Sequence, residues 1–353
     1  MRRRHSDEPT RLAEYIAKIF RLDTGTNEVE VAPGTSARTV FGADAQDDCA
    51  VVRMTGEQDL VVGTDYVRGP KFRLYEMGHL SLFDLGYYLV AANVSDVAAM
   101  GARPLGLLSV VRYPPDMPDD DFLQVLAGIR AAASDFRCPS IGGDIGSAER
   151  LFLSATALGV CPPGKALLRN GARPGDVLCL TGPTGTAGAA MAYLRSGLEH
   201  AEIEREHREV LLSSWQRPRA KVAEGALLGD SGVVTSCQDT SDGLKAAVHG
   251  IADASGVGFV IDQARIPVAA EVRAVCKFLG TDLMATVMGD SVDFQLVFTA
   301  PRDELSRLGL EIHPIGVATR ERSVVLAGAG ARRSELPGAA WRHVDEAQQG
   351  KGD

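Results

Sequence analysis

Apolar residues recur at helical spacing in several stretches of the chain. Residues 9–21 place four large apolar side chains on one face, which predicts an amphipathic helix near the start of the sequence. Residues 75–100 are mostly small and apolar, and they predict one long helix that ends at Gly101. Other helices are predicted over residues 119–136, 184–196, 199–213 and 241–255.

Short apolar, β-prone runs lie between these helices and predict strands. Strands are predicted over residues 50–53, 59–64, 105–111, 139–143, 151–160, 176–181, 258–262 and 296–299. Residues 22–48 are rich in Gly, Thr, Asn and Asp and predict a loop. Helices and strands mix without strict alternation, which favours an α+β fold over a doubly wound sheet.

The run Cys161-Pro-Pro-Gly-Lys165 interrupts this pattern with two prolines and a glycine in five residues. Such a run predicts a boundary between two domains. The predicted organisation is an N-terminal helix and arm over 1–35, a domain over 36–160, a second α+β domain over 161–328, and an irregular tail over 329–353.

Composition and charge narrow the classes of function. The 353 residues carry a net charge of −9, and no basic stripe typical of a nucleic-acid binder is visible. No run of about 18 apolar residues predicts a membrane helix, and the basic start lacks the apolar stretch of a signal peptide. The six cysteines form no CxxC pair, which favours reduced thiols in a cytoplasmic protein.

Aspartates recur beside strand ends and glycine turns. Magnesium prefers oxygen ligands, and a cluster of carboxylates that holds Mg²⁺ suits phosphoryl transfer. Any one of them could instead cap a helix or form a turn. Asp96 is the most informative, because it lies in an apolar, small-residue segment where an unpaired carboxylate is costly. The group comprises Asp47, Asp48, Asp65, Asp96, Asp144, Asp239 and Asp242.

A glycine-rich turn, Gly182-Pro-Thr-Gly-Thr-Ala-Gly188, precedes a predicted helix. Such a turn can bind phosphate at the helix N-terminus, or it can serve only for close packing. It lacks the Gly-Lys-Ser/Thr of a Walker A loop, and no GxSxG elbow or HExxH motif supports hydrolase chemistry elsewhere.

These motifs, in this order, resemble the thiamine-monophosphate kinase family, within the superfamily that includes aminoimidazole ribonucleotide synthetase. The resemblance runs from about Leu12 to about Arg320. It is carried by the runs Asp47-Asp-Cys-Ala-Val-Val, Gly-Thr-Asp65, Asn93-Val-Ser-Asp-Val-Ala-Ala-Met-Gly-Ala102, Ile141-Gly-Gly-Asp144, Ala166-Leu-Leu-Arg-Asn-Gly-Ala-Arg-Pro-Gly-Asp176, Asp239-Thr-Ser-Asp-Gly-Leu244 and Asp293-Phe-Gln-Leu-Val-Phe-Thr299.

The resemblance implies two α+β domains and a homodimer in which the N-terminal sheets pair. It implies transfer of the γ-phosphoryl group of ATP to thiamine monophosphate, with Mg²⁺. The implied magnesium ligands or their neighbours are Asp48, Thr64, Asp65, Asp96, Asp144, Asp239 and Asp242, with Asp96, Asp144 and Asp242 as the catalytic carboxylates. The implied ATP contacts are Gly143, Asp144, Arg169 and Ser241.

The acceptor side departs from the family pattern. Val292 stands where the family has a glutamate expected to touch thiamine, and Lys71 stands where it has histidine. Ile145 replaces the usual threonine after Gly-Gly-Asp. Trp341 could pack against a substrate ring or could be an ordinary tryptophan.

Three hypotheses therefore stay open: a thiamine-monophosphate kinase, a related enzyme that phosphorylates or activates another acceptor, and a non-catalytic nucleotide-binding relative. Unused buried carboxylates are a liability, which counts against the third.

Overall fold

The computed structural model describes residues 28–32, 35–41, 47–54, 58–67, 69–197, 203–328 and 332–338. The predicted helix over residues 9–21 and Trp341 lie outside the described residues. Within the described part, no helix has the length and hydropathy needed to cross a membrane.

The N-terminal half is built on a seven-stranded mixed sheet in the order β1-β2-β3-β4-β7-β5-β6. Its neighbours pair antiparallel except β5 and β6, which are parallel. The strands are β1 (Glu28–Ala32), β2 (Thr35–Phe41), β3 (Ala50–Met54), β4 (Asp59–Tyr66), β5 (Arg103–Tyr113), β6 (Ser140–Ser147) and β7 (Phe152–Cys161).

The described residues of this half form three helices: α1 (Gly69–Glu76), α2 (Leu82–Ala99) and α3 (Asp119–Asp135). Nearly every residue of α2 is buried, because the helix lies between the sheet and other helices. Ser81 and Asp84 form a capping box at its start, which satisfies backbone N–H groups of the first turn. Gly86 and Gly128 allow α2 and α3 to approach closely, since a Cβ on either would overlap the other helix's backbone.

The C-terminal half contains a second seven-stranded sheet in the order β14-β13-β10-β12-β8-β11-β9. Its strands are β8 (Val177–Leu180), β9 (Ser236–Asp239), β10 (Gly258–Asp262), β11 (Leu296–Ala300), β12 (His313–Thr319), β13 (Val324–Ala327) and β14 (Arg333–Glu335). Its helices are α4 (Thr186–Arg195), α5 (Arg205–Gln216), α6 (Val222–Ser231), α7 (Leu244–Ser255), α8 (Ala270–Leu279) and α9 (Leu283–Met288). Two 3-10 helices, Gln263–Arg265 and Arg302–Arg307, complete the described elements.

Helix α2 also forms the contact between the two halves. Gly225 and Gly229 of α6 lie against the backbone of the C-terminal end of α2, at Ala98 and Gly101, so closely that neither could carry a side chain. At the other end of α2, the Arg217 guanidinium pairs with the Asp84 carboxylate. The two halves are therefore joined along the whole length of this helix.

The outer face of the N-terminal sheet exposes large apolar side chains. They lie mainly on β5, β6 and β7, and β6 is the edge strand. The exposed apolar residues on this face are Leu108, Ile141 and Phe152. An apolar sheet face of this kind with an unpaired edge is unusual for a surface that faces only water.

The α+β class is confirmed, but three predicted elements are wrong. Residues 22–48 do not form one loop, since β1 and β2 lie within them; their Thr and Ser residues suit a strand as well as a turn. The single helix over 75–100 is interrupted between Glu76 and Leu82, where Gly78 adopts a φ of 77° and Ser81 caps a new helix. The tail over 329–353 is not wholly irregular, because β14 pairs with β13.

Candidate functional site

Three aspartates from three separate segments meet between the two halves. Asp48 precedes β3, Asp96 lies in the last turns of α2, and Asp239 ends β9. One carboxylate oxygen of each lies within 4.8 Å of the others. The strand ends and the buried helix fix this geometry, because each segment belongs to a packed core.

The Asp239 carboxylate is held by two hydroxyl groups. Ser95 Oγ of α2 donates to Asp239 Oδ2 at 2.6 Å, and Ser241 Oγ donates to Asp239 Oδ1 at 2.7 Å. The first bond joins the N-terminal half to the C-terminal half inside the site. These bonds orient Asp239 without neutralising it.

Burial and mutual repulsion raise the pKa values of two of these carboxyl groups. Burial, followed by the charge of Asp48, raises the pKa of Asp239 to about 7. Burial and then the charges of Asp239, Asp48 and Asp65 raise the pKa of Asp96 well above its usual value. Like charges so close together cannot all ionise without a compensating cation.

Arg169 supplies part of that compensation. Its guanidinium pairs with Asp48, and its backbone N–H donates to Asp47 Oδ2 at 3.1 Å. Burial alone would lower the pKa of Arg169, but the charges of Asp48, Asp47 and Asp239 outweigh it and raise the pKa. Burial and the charge of Asp48 raise the pKa of Asp47 to about 6 despite this pairing.

A divalent metal ion fits the three-carboxylate site. Asp48 Oδ2 is buried and has no hydrogen-bond partner among the described residues. A buried carboxylate oxygen without a donor is costly, and a hard cation would satisfy it. The donor set is all oxygen, which is the set that Mg²⁺ prefers.

Asp65 and Asp242 lie close enough to act on the cluster electrostatically. The charge of Asp65 raises the pKa of Asp96, and that of Asp242 raises the pKa of Asp239. Asn93 Oδ1 of α2 accepts from the Asp65 backbone N–H at 3.0 Å, which anchors the end of β4. Thr64 donates instead to Ala155 O at 2.6 Å, on the neighbouring strand β7.

Asp144 and Gly143 lie apart from the cluster, on β6. The Asp144 side chain is 65% exposed and pairs with Arg112 of β5. Gly143 has a φ of 147°, and a Cβ there would overlap the Ser109 carbonyl of β5. A cavity of about 500 Å³ opens beside this strand pair, lined by Ser109, Leu126, Ile129, Arg130, Ala133, Ser134, Arg137, Pro139 and Ser140.

The glycine-rich turn before α4 already holds an anion of the chain itself. The Asp293 carboxylate accepts from the Gly185 N–H at 2.6 Å and from the Ala187 N–H at 3.0 Å. Burial raises the pKa of Asp293, while these N–H groups oppose the rise. Of the two interpretations of this turn, close packing therefore fits the structure, since the helix N-terminus is capped by a side chain.

Lys71 and Val292 flank the junction between the halves. Lys71 is only 5% exposed, and its Nζ lies 4.4 Å from the ring centroid of Tyr88 and 5.6 Å from that of Trp215. Val292 is half-buried and packs against the core. The residue after Asp293, Phe294, has a φ of 51° and lies 5.6 Å from the Tyr88 ring.

Sequence reasoning missed several of these participants. Ser95 lies within the run Asn93–Ala102, but nothing in that run indicates its bond to Asp239. Tyr88 precedes the run and has no motif of its own. The pairing of Arg169 with Asp48 joins residues 121 apart in sequence, which spacing cannot indicate. Trp215 lies just beyond the predicted helix over 199–213 and has no neighbouring motif.

Comparison with known proteins gives consistent matches over most of the chain. Residues 46–161 match the family described as AIR synthase related protein, N-terminal domain, and residues 173–328 match its C-terminal domain. The thiamine-monophosphate kinase of Pyrococcus abyssi is 31% identical over 263 residues, which cover 74% of this chain and 79% of that protein.

Solved structures agree with the sequence matches. A structure of AaThiL complexed with AMPPCP and TMP has a TM-score of 0.74 at 25% identity and covers 84% of this chain and 91% of its own. The thiamine-monophosphate kinase of Stenotrophomonas maltophilia K279a has a TM-score of 0.69 at 28% identity, covering 84% of this chain and 92% of its own.

Substitution of Asp96 by asparagine tests the metal site. We expect Asp96→Asn to bind Mn²⁺, used as a spectroscopic substitute for Mg²⁺, at least about tenfold more weakly, because one of three anionic ligands becomes neutral. Electron paramagnetic resonance titration measures this affinity. The exposed Asp303→Asn is the control and should bind as the wild type does. Equal affinity in Asp96→Asn would show that Asp96 is no ligand.

The raised pKa of Asp239 predicts how stability depends on pH. Between pH 4 and 7 the native state keeps a proton that the unfolded chain has released, so the unfolding free energy falls as pH rises through this window. With EDTA present we expect a fall of roughly 2–4 kcal/mol. Denaturant unfolding from pH 4.5 to 8 measures it. Asp239→Asn should flatten the profile, whereas an equally steep profile in that variant would contradict the assignment.

Proposed function

The chain belongs to the thiamine-monophosphate kinase family of AIR synthase related proteins, and from this we propose that it uses ATP to phosphorylate thiamine monophosphate. The observation that carries the proposal is the cluster of Asp48, Asp96 and Asp239 with its unsatisfied carboxylate oxygen. Phosphoryl transfer between two anions needs concentrated positive charge, and this cluster would concentrate metal ions.

In the proposed reaction the terminal phosphorus of ATP forms a bond to a phosphate oxygen of thiamine monophosphate. Its bond to the β-phosphate oxygen breaks, and thiamine diphosphate and ADP leave.

We propose that Mg²⁺ is held by Asp48, Asp96 and Asp239, with Asp65 and Asp242 completing the anionic surroundings. When bound, Mg²⁺ would neutralise phosphate charge and let the two anionic substrates approach. Arg169, already placed on Asp48, would add a fixed positive charge that can contact phosphate oxygens. Ser241 would keep Asp239 oriented through its hydroxyl group.

The proposed nucleotide contacts on β6 rest on the family pattern. Gly143 and Asp144 match family positions that contact ATP and metal, and Thr64 matches a metal neighbour. The exposed position of Asp144 leaves its carboxylate accessible to a ligand, and Arg112 would have to share it.

The second candidate function is phosphorylation or activation of a different acceptor in the same site. Val292 cannot accept a hydrogen bond from an acceptor, and the Lys71 ammonium already lies against the aromatic rings of Tyr88 and Trp215. A cation attracted to those rings would meet this ammonium. Both features weaken recognition of a cationic thiamine ring.

Steady-state kinetics of the wild type and of Val292→Glu test both functions together. We expect Mg²⁺-dependent formation of thiamine diphosphate and ADP, abolished by EDTA, with a high KM for thiamine monophosphate. Val292→Glu should lower that KM about tenfold, because a charge-assisted hydrogen bond contributes about 1.5–3 kcal/mol. Val292→Gln is the matched control that adds length and polarity without charge.

Two results would change the conclusion. Absence of thiamine diphosphate in the presence of ATP and Mg²⁺, for the wild type and for Val292→Glu, would overturn the kinase proposal. A micromolar KM in the wild type with no gain in Val292→Glu would show that Val292 does not face the acceptor.

We also propose that the protein is a homodimer and that it is located in the cytoplasm. In the dimer, the exposed apolar faces of the two N-terminal sheets would pack against each other. Leu108 of β5 and Phe152 of β7 lie on that face, on the side opposite to the core residues Val111 and Leu153 of the same strands. Sedimentation at micromolar concentration should show a dimer, and Leu108→Asp should shift it to monomer because the substitution buries a charge at the contact. Leu123→Asp, on the exposed side of α3, should remain dimeric. A wild-type monomer would contradict the proposal.

A further inference from the structure

The described C-terminal segment, residues 332–338, returns to the side of the site that carries Val292. After β14 pairs with β13, Leu336 enters the core at 4% exposure. Gly338 follows with a φ of 81°. The segment therefore ends packed against the body of the C-terminal half, close to the loop between α9 and β11.

A lysine holds this segment beside the metal-site loop, residues 240–243, which carries Asp242. Lys245 lies in the first turn of α7, three residues after Asp242, and its Nζ donates to Leu336 O at 2.7 Å and to Gly338 O at 2.9 Å. A cation in the first turn of a helix opposes the helix dipole, so this lysine is unfavourable for α7 itself. Its stabilising contacts are those with the carbonyls of the C-terminal segment.

Three backbone segments meet at Gly289. A Cβ on Gly338 would lie 2.5 Å from Ala285 O and 3.0 Å from Gly289 Cα. A Cβ on Gly243, which directly follows Asp242, would overlap Gly289 O. The metal-site loop, the start of the loop Gly289–Asp293 and the C-terminal segment thus touch backbone to backbone.

The far end of the same loop is held by α4. Ser291 Oγ accepts from the Gly188 N–H at 2.8 Å and donates to Asp293 Oδ2 at 2.7 Å. Asp293 in turn caps the helix. Val292 lies between these bonds and the contact at Gly289, so its position depends on what holds both ends of the loop.

We propose that Lys245 is a positioning residue for the acceptor: it holds the C-terminal segment against Gly289 and so fixes the loop Gly289–Asp293. The proposal rests on the function proposed above for the site of that loop. Among the described contacts, the Lys245 side chain touches neither the carboxylate cluster nor the glycine turn before α4.

Kinetics separate positioning from general damage. Lys245→Met should raise the KM for thiamine monophosphate about tenfold, while the KM for ATP and kcat stay within about twofold. Lys245→Arg should restore most of the loss, because a guanidinium can donate to both carbonyls. Lys277→Met, an exposed lysine on α8, is the matched control and should match the wild type. Equal rises in both KM values would overturn the proposal.

Hydrogen–deuterium exchange provides a readout that does not depend on the acceptor. In Lys245→Met, peptides covering 332–338 and 285–293 should both exchange faster, and Mn²⁺ affinity should be unchanged. Gly338→Ala, which disturbs the same contact from the other side, should give the same pattern. Unchanged exchange over 285–293 in both variants would overturn the proposal. If the wild type forms no thiamine diphosphate, the proposed function fails, while these exchange data still decide the role of Lys245.

Discussion

The repulsion among buried carboxylates is the constraint on which the rest of the structure depends. Asp48, Asp96 and Asp239 come from a loop, a helix and a strand, and unfavourable charge would separate them if each segment were free to move. They remain together because each segment is fixed by packing of the fold, while Arg169 offsets part of the repulsion at Asp48. The fold thus stabilises an arrangement that the local chemistry alone opposes, which is typical of a functional site.

Helix α2 provides most of the contacts that fix these carboxylates. It contributes Asp96 and Ser95 to the cluster, and Asn93 to the end of β4. It also packs against α6 through Gly225 and Gly229, with no room for side chains between the backbones. Such close packing leaves little freedom for the two halves to slide along each other, because interiors are as dense as crystals and resist small shifts. The geometry of the carboxylates is thereby set before any ligand arrives.

That aspartates such as Asp48, Asp96 and Asp239 gather in one cluster could be predicted from the sequence, and the reason is physical. A carboxylate in a run of small apolar residues, as at Asp96, conflicts with its surroundings, and such conflicts mark functional sites. The α+β class followed from the order of apolar runs. What could not be predicted were relations across the fold: the Arg169 pair with Asp48, the cap that Asp293 places on α4, and the break before Leu82. Each depends on residues far apart in sequence or on a local cap that competes with strong helical periodicity.

The two sides of the site are held by different chemistry, and this bears on how the acceptor could vary. The carboxylate cluster is held by buried charges that tolerate little change, since removal of one partner of a buried ion pair leaves the other uncompensated. The side that carries Val292 is held mainly by backbone contacts at glycines and by neutral hydrogen bonds around Ser291. Backbone contacts fix the position of a side chain without specifying its identity. In the proposed site, Val292 can therefore change while the loop keeps its shape, and recognition of the acceptor would then change independently of the phosphoryl-transfer chemistry.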